Sequence, residues 1–168
     1  MRAILTTLLI IFISNTSFSQ QIETDSLSKS KISDLSFMVG NWKGNGWIIG
    51  KEGKTNFEQI ENIAFKLDST AILIEGKGFA NGKMVHDALA ILTYNKEKNT
   101  YSFRSYLPNG RNQEFKAEWI EEKFYWYPNE QVRYIIWLNE KGQWFEIGEY
   151  QRENEWHQFF EMTLDREK

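Results

Sequence analysis

From Trp42 to the C-terminus the chain is a succession of strand-like runs with very little between them. The first five read "NWKGNGWIIG", "TNFEQIENIAFKL", "AILIEGKGFA", "MVHDALAILTY" and "TYSFRSYL". The next five are "RNQEFKAEWI", "FYWYP", "QVRYIIWL", "QWFEIGEYQ" and "WHQFFEMTL". Their links are short and built from turn formers, among them Asn81-Gly82, "NKEKN", Pro108-Asn109-Gly110 and "NEKG". Asn-Gly favours the positive φ angles of a tight hairpin. Parallel neighbours would need a crossover of about a dozen residues, and no link is that long. The pattern therefore predicts an all-β fold: an antiparallel up-and-down barrel of about ten strands, closed so that no edge is left unpaired. Ser33-Asp34 before "LSFMVG" predict a short helical turn at its N-terminal side, stopped at Gly40.

Alternation assigns faces in some strands. In the last, Trp156, Phe160, Met162 and Leu164 fall on one face with Gln158, and His157, Phe159, Glu161 and Thr163 on the other. In the sixth, Phe115, Ala117 and Trp119 alternate with Glu114, Lys116 and Glu118. In the fifth, Tyr101, Phe103 and Leu107 oppose Ser102, Arg104 and Tyr106. The eighth and ninth are apolar on both faces.

The remaining composition narrows the function classes. A chain of 168 residues with 41% hydrophobic content supplies one domain with a core. A net charge of −3 offers no basic stripe, so nucleic acid is not expected as a partner. With no cysteine, disulfides, thiol chemistry, thiolate metal sites and a lipid-anchored N-terminus are excluded. Met1-Arg2 and the apolar run Ala3–Ile13, then "SNTSFSQQ", read as a secretory signal peptide over 1–20. The run is too short for a membrane span, which needs roughly 20 residues. Residues 21–33 read as a flexible leader and 34–168 as the barrel domain. The expected location is periplasmic or extracellular.

A turn of helix followed by Gly40-Asn41-Trp42 at the start of a meander barrel resembles the calycins, the superfamily of lipocalins, fatty-acid-binding proteins and nitrobindin-like haem barrels. "LSFMVGNWKGNG", "HDALAILTYNKEKNTYSFRSYLPNG" and "WHQFFEMTLDR" resemble an uncharacterised family of secreted bacterial lipocalin-like proteins. The resemblance spans about Leu35 to Arg166 and implies a barrel holding one small hydrophobic or amphipathic molecule, without catalysis. It also implies that Gly40 and Trp42 form a structural plug at the closed end, with Arg133 or Arg152 stacked on the Trp42 ring. A second implied function is haem binding through His157. A third reading is an interaction barrel without a pocket.

The residues themselves suggest further candidates. Arg104 and Tyr106, on one face, suit a ligand carboxylate if they point inward; if that face is solvated, Phe103 is the inward residue instead. Trp119, Phe124, Trp126, Tyr134, Trp137 and Trp144 are expected as core or pocket wall. His86 and Asp87 are adjacent on a strand and face opposite sides, so they form no catalytic pair. Glu146 and Glu149 differ in parity, so they make no glycosidase-type pair. No catalytic or metal-binding motif is found, and no cofactor other than haem is suggested.

Overall fold

The computed structural model describes residues 23–168; residues 1–20, read as a signal peptide, lie outside the described residues. Ten strands follow in chain order: β1 (Gly40–Gly50), β2 (Gly53–Lys66), β3 (Ala71–Ala80), β4 (Lys83–Asn95), β5 (Thr100–Tyr106), β6 (Asn112–Ile120), β7 (Lys123–Asn129), β8 (Val132–Leu138), β9 (Trp144–Arg152) and β10 (Glu155–Arg166). Each pairs antiparallel with its neighbours in sequence. β1 then pairs with β10, from Trp42 opposite Arg166 to Ile48 opposite Phe160, which closes the barrel. The expected all-β meander is the observed one. Asn81 and Gly82 both take positive φ, 51° and 71°, as the β3–β4 hairpin requires.

The segment expected as a flexible leader instead contains helix α1 (Ser26–Ser33). Asp25 caps it by accepting from the Ser28 N–H at 2.8 Å. The helix lies across one end of the barrel. Lys96, in the β4–β5 turn, pairs with Asp25 at 2.8 Å, and Lys29 pairs with Asp68 in the β2–β3 turn at 3.1 Å. The Tyr101 hydroxyl donates to the Lys31 carbonyl at 2.9 Å, and Ile32 is fully buried. The exposed ion pairs contribute little; the buried Ile32 anchors the helix. Low overall hydrophobicity hid this element, because one apolar residue suffices to fasten a two-turn helix onto a ready-made core. A 3-10 turn, Ser36–Met38, stands before Gly40 as expected, but it follows Leu35 without a side-chain cap from Ser33 or Asp34.

Below the helix, Ile32, Leu35, Met38, Trp42, Leu92 and Leu164 are all buried and form the densest part of the core. Trp42 is 0% exposed, donates its indole N–H to the Met38 carbonyl at 2.8 Å, and meets Trp144 edge-on at 5.9 Å. The cation over its ring is Arg166, at 4.2 Å, not Arg133 or Arg152. Strand pairing explains the correction: Arg166 lies directly opposite Trp42. Arg133 is on the outer face, bonded to Glu149 at 2.7 Å and stacked over Trp156 at 4.0 Å. Arg152 ends β9 at the other end of the barrel. Arg166 also donates to the Val39 and Phe37 carbonyls, tying the chain's last strand to the turn before its first. The turn ends at Met38, and β1 opens with Gly40. Its φ is 143°, and a Cβ there would run into the Arg166 guanidinium.

One β-bulge reverses an expectation. The β9–β10 register shifts between Gln158 and Phe160, so His157 pairs with Tyr150 while Phe160 pairs with Gly148. His157 and Phe160, three residues apart, therefore share the inward parity. Trp156 does not share the Phe160 face as expected; it lies outside, under Arg133.

Candidate functional site

The half of the barrel away from α1 is hollow, so the reading of a barrel without a pocket is not what the structure has. A cavity of about 570 Å³ extends from above Met38 to a rim that includes Ile48, Thr55, Val85 and His86. Its shape follows from unequal side-chain sizes around the wall. β3 and β4 turn Gly76, Gly78, Ala80, Ala88 and Ala90 inward. The opposite wall carries Phe103, Phe115, Trp126, Tyr134 and Phe160. Small residues facing large ones leave space that a uniform set would fill.

The aromatic wall is one contiguous stack. Trp126 and Tyr134 lie parallel, 4.4 Å apart with 6° between planes. Phe103 and Phe115 each approach Trp126 at 5.2 Å, and Phe160 meets Tyr134 edge-on at 5.4 Å. These rings hold one another in place, which keeps the wall rigid and the cavity open.

Against this apolar surface the cavity holds two carboxyls. Glu61 of β2 is 7% exposed and Glu146 of β9 is also 7% exposed. The Gln59 amide donates to one Glu61 oxygen at 2.7 Å, and the other, Oε2, has no partner among the described residues. The Trp144 indole N–H donates to Glu146 at 3.3 Å. Burial pushes the Glu61 carboxyl up to about 7, opposed by the Gln59 hydrogen bond. Burial, with the charge of Glu61 added, pushes Glu146 up to about 8. Burial and the Glu146 charge raise the Tyr134 phenol, which stays neutral. His86 lies at the rim and its imidazole is lowered by burial, with Asp87 working in the opposite direction.

The other predicted site residues separate clearly. Phe103, Trp126 and Tyr134 line the cavity. Trp119 packs at the closed end, stacked on Phe37 at 5.3 Å. Trp137 is on the outer face, against Phe145 at 4.9 Å and beneath the Lys123 ammonium at 4.5 Å. Arg104 and Tyr106 also point outward, and Arg104 donates to Asn112 at 2.9 Å beside Glu114. The inward residues of β5 are Tyr101, Phe103 and Ser105, so Arg104 and Tyr106 do not reach a ligand in the barrel. His157 stacks on Tyr150 at 5.4 Å and is not part of the cavity wall. Among the described residues no group of three His, Asp or Glu is placed to hold a metal ion, and no helix is long and apolar enough to cross a membrane.

Sequence reasoning missed Glu61, Gln59 and the glycines opposite them. In "TNFEQIENIAF" both parities mix polar and apolar residues, so neither face declares itself. The one available signal is Gly76-x-Gly78 inside a strand, which marks a close approach.

The fold defines a class: a closed, ten-stranded antiparallel barrel with an internal cavity. No protein-family model matches the sequence, and comparison with curated proteins finds no match. Among solved structures, the crystal structure of Rv2717c from M. tuberculosis is similar in fold, with a TM-score of 0.59 at 10% identity over 82% of this chain and 97% of that one.

Proposed function

We propose that this protein is an exported, lipocalin-like barrel that binds a small hydrophobic or amphipathic molecule without transforming it. The observation that carries the reading is the hollow interior, apolar over most of its wall with a few convergent polar groups, the usual make-up of a small-molecule site. The aliphatic hydroxyls of the lining, Thr55 and Ser105, are not hydrogen-bonded to His86, Glu61 or Glu146 among the described residues, and the Tyr134 phenol is held neutral by burial. Export rests on the charged start and apolar run of residues 1–20.

Haem held through His157 is the second reading, and the β10 bulge that turns His157 to the inward parity is what favours it. The wall fits haem poorly. His157 is stacked on Tyr150 outside the cavity lining, and no Lys or Arg lines the cavity to meet the two propionates of a haem. Native mass spectrometry of protein purified from its own host separates the readings. A retained small-molecule adduct without a Soret band is expected. A haem adduct, with a Soret band lost in His157→Ala, would establish the second reading instead.

A further inference from the structure

We propose that the barrel selects a ligand bearing one protonated amine on an apolar body, the amine seated at Glu61 and Glu146. This rests on the reading of the barrel as a ligand site and specifies its chemistry. Among the described residues, Glu61 and Glu146 are the carboxyls of the wall, and no lysine or arginine of the lining balances them. Glu61 Oε2 is buried and has no donor among the described residues. A buried carboxylate oxygen without a donor is costly, so a ligand N–H placed there gains more than it would on the surface. As the pair ionises, a carboxylate ligand would meet like charge and an alcohol would leave that charge unbalanced.

The site is built for these polar groups. A Cβ on Gly76 would lie 2.8 and 2.9 Å from the two Glu61 oxygens, and one on Gly78 would lie 2.7 Å from Gln59 Oε1. Glycine at both positions gives Glu61 and Gln59 room to turn inward. Trp126, Tyr134 and Trp144 bring aromatic rings to the same wall, which favours a cation further. The other titratable groups of the lining are Tyr134, neutral, and His86 at the exposed rim, whose imidazole is lowered by desolvation. Both carboxyls hold their protons to higher pH than usual, so the amine preference should strengthen as they ionise.

The test is displacement of a neutral dye, N-phenyl-1-naphthylamine, by octylamine, octan-1-ol and octanoate, with octylamine also titrated directly by calorimetry. At neutral pH octylamine should displace the dye at a concentration at least about tenfold lower than octan-1-ol, with octanoate weakest. The preference should grow from about pH 6 to about pH 9. In the Glu61→Gln, Glu146→Gln double variant the dye should still bind and the amine preference should vanish. Octan-1-ol or octanoate matching octylamine while the dye binds overturns the amine inference and leaves the ligand cavity standing. Failure of both dye and octylamine to bind removes the cavity reading itself, and the amine inference with it.

Discussion

Glu146→Gln should be more stable than the parent protein in alkaline solution and should lose most of its pH dependence between about pH 6 and about pH 9. Burial raises the Glu146 carboxyl to about 8 and that of Glu61 to about 7, against an ordinary value of 4.5. The folded state therefore binds more protons than the unfolded chain across this interval. That contribution is complete below the unfolded value and is lost as pH rises through 7 and 8. Each tenfold gain in a carboxyl's proton affinity on folding corresponds to about 1.4 kcal/mol, so ionising the pair removes stability on the order of several kcal/mol. Glutamine keeps an oxygen for the Trp144 N–H and cannot ionise. Urea melts of both proteins at several pH values check this. Parallel curves for parent and variant would mean that the carboxyls are not buried as described.

Trp42→Ala should cost about 3–5 kcal/mol, the usual range for deleting a fully buried large aromatic ring. The loss combines the ring's packing, its hydrogen bond to Met38 and the support it gives Arg166. A fall in melting temperature of roughly 10 °C or more is expected for a domain of this size. Trp42→Phe should recover part of it, since the ring is replaced and only the N–H is missing. A change of only a few degrees in Trp42→Ala would show that the closed end is held by α1 rather than by this plug.

Much of the fold was legible because hairpin chemistry is local. Asn81-Gly82 and the other short links specify antiparallel neighbours one at a time, and ten such strands close almost by necessity. Features that depend on partners distant in sequence were not legible. Arg166 reaches Trp42 only because β1 and β10 meet, and nothing local distinguishes it from Arg133. The bulge between Gln158 and Phe160 changed the face of His157 and Trp156, and a single extra residue leaves no mark in an aromatic-rich strand. Phe103, Trp126 and Tyr134 line the cavity as expected, but ring size did not separate them from Trp119 and Trp137, which do not line it. Glu61 could not be expected there, because charged residues are ordinarily assigned to solvent, and this one is tolerated only beside Gly76.

The central claim is that the hollow half of the barrel is a ligand site. Titration with N-phenyl-1-naphthylamine, on the parent protein and on Ala88→Trp, tests it most directly. Ala88 faces the cavity opposite Gly76 in the β3–β4 pair, so an indole there occupies the space a ligand would use. A ligand site predicts saturable, blue-shifted dye fluorescence with roughly micromolar affinity, weakened at least about tenfold in Ala88→Trp while the variant still melts cooperatively. Absence of saturable binding, or equal binding to a folded Ala88→Trp, would contradict it.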